Sequence, residues 1–150
     1  MGALEEFEWK LAEHDVPIPV RQDAVALYRV LLETVRIWGI EREEGVRESR
    51  SEVRARISCE GLDCAVLTKV GEDRPQLLLR TVLGPRLLAE VFERAHESGV
   101  RSFHFDLQGR GLRVEGEYDV GIVQIKVVGG GAGWELLEDL EKRGFSVTGL

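Results

Sequence analysis

The sequence predicts an α+β domain, an α/β sandwich in which helices pack on a mainly antiparallel sheet. Three observations carry this expectation. Apolar residues recur at three- and four-residue steps in four separate stretches, the spacing that places them on one helix face. Between those stretches the hydrophobic period drops to two, as in strands buried on one side. Most of the links between the period-two runs are short, and a short link joins antiparallel neighbours. The expected order is α-β-β-α-β-β-β-α, preceded by an N-terminal helical arm, in a single domain spanning 1–150.

The arm is residues 1–20. Leu4, Phe7 and Leu11 line one side of a short helix, and "DVPIPV" (15–20) ends it because each proline lacks an amide donor and holds its predecessor extended. Residues 22–39 give the longest stripe, through Val25, Tyr28, Leu31, Leu32, Val35 and Trp38, with Gly39 placed to close it. Residues 41–56, "EREEGVRESRSEVRAR", hold five glutamates and five arginines and are expected as a charged insertion or linker, either solvated or extending the helix through local ion pairs, with a docking surface as the alternative.

From about Val53 the period is two. "VRARISC" alternates, and "DCAVLTKV" (63–70) and "QLLLRTV" (76–82) are apolar strands paired across the turn residues "GEDRP". Residues 84–100 form a helix with Pro85 in its first turn and Gly99 at its end. "RSFHFDL" (101–107), "LRVEGEY" (112–118) and "GIVQIKVV" (121–128) make an antiparallel meander. A last helix occupies about 133–143, and "FSVTG" adds an edge strand.

Composition narrows the functional classes. A net charge of −7 opposes an unassisted grip on nucleic acid, whose phosphates supply most non-specific affinity to basic proteins. No apolar run reaches the roughly 18–20 residues that span a bilayer, and the acidic N-terminus lacks the basic and apolar regions of a signal peptide, so a cytoplasmic protein with no membrane partner is expected. Asparagine is absent, the single methionine is the first residue, and 16 arginines stand against 4 lysines. That pattern fits a protein from a hot environment, and a GC-rich coding bias would also favour arginine. Cys59 and Cys64 are expected as reduced, partly buried thiols.

Candidate sites are few. "VVGGGAGWELLEDL" runs from strand through glycines into helix, the arrangement that lets backbone amides hold an anion. Gly129, Gly130, Gly131 and Gly133, with Lys126 behind them, are therefore the ligand-binding candidates. Their spacing matches neither the dinucleotide nor the P-loop fingerprint, and Glu135, Glu138 and Asp139 would repel a phosphate. A tight turn is the simpler reading.

His104 and Asp106 share one strand face, and Arg113, Glu115 and Glu117 share one face of the next. In matching register these five would form a polar patch, either a solvated sheet surface, a partner-binding surface, or the acid–base pair of an enzyme. No G-x-S-x-G nucleophile motif occurs, and the scattered histidines and C-x₄-C pair do not make a metal set. No catalytic residue, metal or cofactor is assigned.

The path from "AVALYRVLLETVRIWG" through "DCAVLTKVGEDRPQLLL", "PRLLAEVFERAHESG" and "RSFHFDLQGRGLRVEGEYDVGIVQIKVV" to "GWELLEDLEK" resembles the roadblock/LC7 family in its element order over residues 22–143. The resemblance implies a non-catalytic module that dimerises and regulates or scaffolds a protein partner, in that family often a small GTPase. It supplies no catalytic residues. The arm, the 41–56 segment and the polar meander face depart from the family's pattern.

The reading that follows is a non-enzymatic interaction or regulatory domain acting through protein contacts, as a homodimer. The alternatives are a small-ligand or anion sensor at 129–133 and an enzyme on the His104/Asp106 face.

Overall fold

The computed structural model describes residues 2–82, 85–109, 111–129 and 132–149. Among them are four helices and eight strands: α1 (Ala3–Glu13), α2 (Ile18–Ile37), β1 (Glu43–Glu48), β2 (Glu52–Cys59), β3 (Leu62–Lys69), β4 (Gln76–Thr81), α3 (Pro85–Glu97), β5 (Ser102–Gly109), β6 (Leu112–Asp119), β7 (Ile122–Gly129), α4 (Ala132–Lys142) and β8 (Ser146–Gly149). The strands form one sheet in chain order, β1 to β8. Every neighbouring pair is antiparallel except β4–β5 and β7–β8, which are parallel because α3 and α4 carry the chain back across the sheet. The expected α+β class, with a mainly antiparallel sheet and packed helices, is what the chain adopts.

Residues 41–56 are a correction. Instead of a linker or a helix extension they form β1 and most of β2, paired from Glu43↔Ser58 to Glu48↔Val53. An edge strand has only one neighbour, so β1 carries charge on both sides and buries none of its residues fully. That charge masks the period-two signal while it keeps the edge from pairing with other chains. The sheet therefore has four strands before α3, where the sequence suggested two or three. Helix α2 also starts earlier than expected, with Pro19 in its first turn, where a missing amide costs nothing.

All four helices lie on one face. Phe7 and Leu11 of α1, Leu27, Tyr28 and Leu31 of α2, Leu88 and Phe92 of α3, and Leu136 and Leu140 of α4 share a single core with alternate residues of the strands. Those strand residues are Val53, Ala55 and Ile57, then Cys64 and Val66, Leu77 and Leu79, Phe103, Phe105 and Leu107, Val114 and Tyr118, and Val123 and Ile125. Phe92 sits at the centre, its ring 4.9 Å from that of Phe105 and 5.4 Å from that of Phe103. Tyr118 and Phe145 close the cluster, and edge-to-face pairs of this kind add about 0.5–1.5 kcal/mol to the area they bury. Buried Asp23 of α2 accepts the Arg101 backbone amide at 3.0 Å, fixing that helix to the start of β5. Cys64 is buried and Cys59 half-buried, both free, and burial pushes both thiols up.

The β6–β7 hairpin turns through two residues, Val120 and Gly121, both at positive φ (42° and 83°). That is the backbone of a tight hairpin turn, in which asparagine followed by glycine is preferred. A β-branched residue there is strained, and Val120 is 64% exposed, so its side chain contributes little packing in return. Val120→Asn should therefore raise stability by about 0.5–1 kcal/mol, read as a higher urea midpoint at unchanged slope.

Helix α1 is tied to the sheet edge by charge. Lys10 Nζ donates to Glu48 Oε1 at 2.8 Å, and His14 Nε2 lies 3.0 Å from Glu48 Oε2. The Lys10 bond first, and the His14 bond second, hold the Glu48 carboxyl below its ordinary range, while Glu48 raises Lys10. A carboxyl lowered by folding stabilises at pH above its unfolded value, and that contribution is lost as pH falls through the folded value. Glu48→Gln should thus lower the melting temperature at neutral pH, with the gap to wild type closing on acidification. A gap that stays constant down to acid pH would reject this linkage.

Candidate functional site

The helices cover one side of the sheet only, and among the described residues no helix lies over the other. That open face is built by the alternate residues of every strand. Directly paired positions share a face, so the register reads across it in rows. One row runs Arg47, Arg54, Leu67, Gln76, His104, Glu117, Gln124. The next runs Gly45, Arg56, Ala65, Leu78, Asp106, Glu115, Lys126, and a third runs Glu43, Ser58, Asp63, Arg80, Gln108, Arg113, Val128.

The five meander residues singled out from the sequence do come together. His104 pairs with Glu117 and Asp106 with Glu115, since β5 and β6 match in register. His104 Nδ1 is 3.4 Å from Glu117 Oε1, and Arg113 Nη2 is 3.4 Å from both Asp106 Oδ2 and Glu115 Oε2. Arg74 reaches Glu117 from the β3–β4 turn at 3.6 Å. The partner of His104 is Glu117, directly opposite on β6, and not Asp106, two positions along β5. Asp106 Oδ1 is buried with no hydrogen-bond partner among the described residues.

Sequence reasoning missed the other half of this face. Arg54, Arg56 and Arg80 project from β2 and β4 around Ala65 and Leu78. They line a hollow of about 140 Å³ together with Asp63, which accepts from Arg56 at 3.1 Å. The alternation in "VRARISC" already placed Arg54 and Arg56 on one face. What it could not supply was Arg80, distant in sequence, or the smallness of Ala65 that leaves the hollow.

The glycine segment divides. Gly130 and Gly131 lie outside the described residues. Gly129 has φ +116°, and a Cβ there would stand 2.0 Å from the Gly111 carbonyl oxygen. A Cβ on Gly133 would stand 2.3 Å from Val127 Cγ1. Both glycines are thus required by the chain's own packing, where β7 passes the β5–β6 turn and α4 settles back on β7. Beside them lies a cleft of about 420 Å³ lined by Lys126, Val127, Gly129, Gly133, Trp134 and Leu137, among others. Trp134 is 72% exposed at its rim. Trp38 is half-buried and donates from Nε1 to Glu90 at 2.6 Å.

Among the described residues no group of three or more His, Cys, Asp or Glu side chains is placed to hold a metal ion. Among the described residues no helix is long and apolar enough to cross a membrane. Compared with protein-family models, with curated proteins and with solved structures, the chain has no match.

The packing reading of Gly133 makes a direct prediction. Gly133→Ala should destabilise by about 1–3 kcal/mol, because the methyl group must push Val127 or the start of α4 aside. Urea unfolding checks it, and an unchanged midpoint would mean that the glycine is free of this contact.

Proposed function

We propose that the protein is a non-enzymatic interaction or regulatory domain, working inside the cell through protein–protein contacts and as a homodimer. The observation that carries this reading is the uncovered face of the eight-stranded sheet, on which charged side chains of both signs surround small apolar ones. A sheet of this width with helices on one side only leaves about half its surface without a layer. The chemistry on that face consists of cross-strand ion pairs. His104 lies beside a carboxylate, and its side chain is 37% exposed on the open face.

The resemblance of residues 22–143 to the roadblock/LC7 family, read from the sequence pattern, supports the same class, a dimerising module that regulates or scaffolds a partner, although four strands precede α3 here. The covering of the sheet differs, so the contact surface in this chain is its own.

Sedimentation velocity at micromolar concentration tests the proposal, with a dimer expected. A strict monomer across that range would reject the homodimer.

A second reading has its own observation, the cleft beside Gly129, Gly133 and Trp134. A small-ligand or anion sensor would use Lys126 there to hold a negative group. Its test is a thermal-shift screen with phosphate, nucleotides and amino acids. Stabilisation by any of them, abolished in Lys126→Ala, would replace the interaction reading by the sensor.

A further inference from the structure

The charge on the open face is segregated. On β1–β4 the outward residues include the cations Arg47, Arg54, Arg56, Lys69 and Arg80 against the carboxylates Glu43, Glu52 and Asp63. On β5–β8 they include Asp106, Glu115, Glu117 and Asp119 against Arg113 and Lys126. The boundary between the net positive and net negative halves is the parallel β4–β5 pair, with four strands on each side.

Two copies can stack such faces about a twofold axis in two simple ways. An axis running across the strands lays β1 over β1 and sets like charge on like. An axis parallel to the strands, between β4 and β5, lays β2 over β7, β3 over β6 and β4 over β5. It sets the positive half of each copy on the negative half of the other. Rotation about that axis also keeps every row at its own level, so the facing partners are fixed. Ala65 then faces Glu115 of the second copy, because both stand in one row on β3 and β6. Ala65 is the floor of the hollow framed by Arg54, Arg56 and Arg80. On the acidic half, Glu115 and Asp106 share Arg113 at 3.4 Å; that contact uses Oε2 of the half-exposed Glu115 and leaves its Oε1 for a further donor.

We propose that a second copy of this chain covers the open face about a twofold axis parallel to β4 and β5, seating Glu115 of each protomer in the arginine-framed hollow over Ala65 of the other. This rests on the interaction reading above and specifies its surface and partner. Neighbouring strands lie about 4.8 Å apart and rise about 3.3 Å per residue, so the face offers roughly 800 Å² per copy, the size of a standard stable interface. Isologous contact of this kind closes on itself and stops at two.

The charges also predict a salt-sensitive assembly, since many remain near water at the rim. One like-charge meeting is built in: Lys126 faces Arg56 of the second copy, while Asp106 meets Leu78 and Glu117 meets Leu67.

The test is sedimentation equilibrium on the full chain and four samples of variants, with circular dichroism confirming the fold of each. E115K/E117K turns the acidic half basic, and R54E/R56E turns the basic half acidic. Each alone should weaken self-association by at least about tenfold, the scale of losing close charge contacts. Their equimolar mixture should recover a dimer, because each copy now presents two halves of one sign to a partner of the other. K126E should tighten the dimer a few-fold.

If wild type dimerises and neither reversal weakens it, the dimer uses another surface; the arrangement falls while the interaction reading stands. Weakening without recovery in the mixture also overturns the arrangement. A wild type that stays monomeric at about 100 μM removes both the arrangement and the homodimer. Stabilisation of that monomer by phosphate or citrate, lost in R54E/R56E, would assign the hollow to a small anion instead.

Discussion

The structure depends on one constraint, that most of the large apolar residues of the strands point the same way. Alternation from Val53 to Ile125 puts most of the valines, leucines and phenylalanines on a single side, with Leu67 and Leu78 on the other, and each of the four helices brings its own stripe to the first side. Burial of apolar surface at roughly 25 cal/mol per Å² makes any other arrangement costly. A helix laid on the opposite face would have to cover arginines and glutamates whose desolvation no contact within the chain could offset. One-sidedness is therefore both the source of stability and the reason that a broad surface is left bare.

The connections follow from the same constraint. Where the chain returns directly, through two or a few residues, the strands are antiparallel. Where it must add a helix to the covered side it crosses over, and the next strand runs parallel. The first of these crossovers, through α3, falls at the middle of the sheet. It brings β5–β7 beside β2–β4 and so joins a basic set of strands to an acidic one. The electrostatic division of the open face is a consequence of the strand order, acting on two hairpin groups that differ in charge.

The tight glycines belong to the covered side's demands as well. Gly133 lets α4 approach β7 closely enough for Leu136 and Leu140 to be fully buried, and Gly129 lets β7 pass the turn before β6. A cleft remains next to them, rimmed by the exposed Trp134. Close packing accounts for the two described glycines, and the cleft gives the segment a place where a small ligand would be sought.

Local pattern by itself pointed to a helix over 84–100, found as 85–97, the β3–β4 hairpin, the β5–β7 meander and the shared polar face of His104, Asp106, Arg113, Glu115 and Glu117. Each of these depends on a periodicity or a turn read within a few residues. Residues 43–48 could not be read that way, because an edge strand exposed on both sides has no reason to alternate. Tertiary structure alone decided that Arg80 joins Arg54 and Arg56 around Ala65, that His104 meets Glu117, and that acidic and basic halves adjoin. Those are facts of register between strands far apart in the chain. Register is set by the summed fit of the whole buried side, which no short stretch of sequence contains.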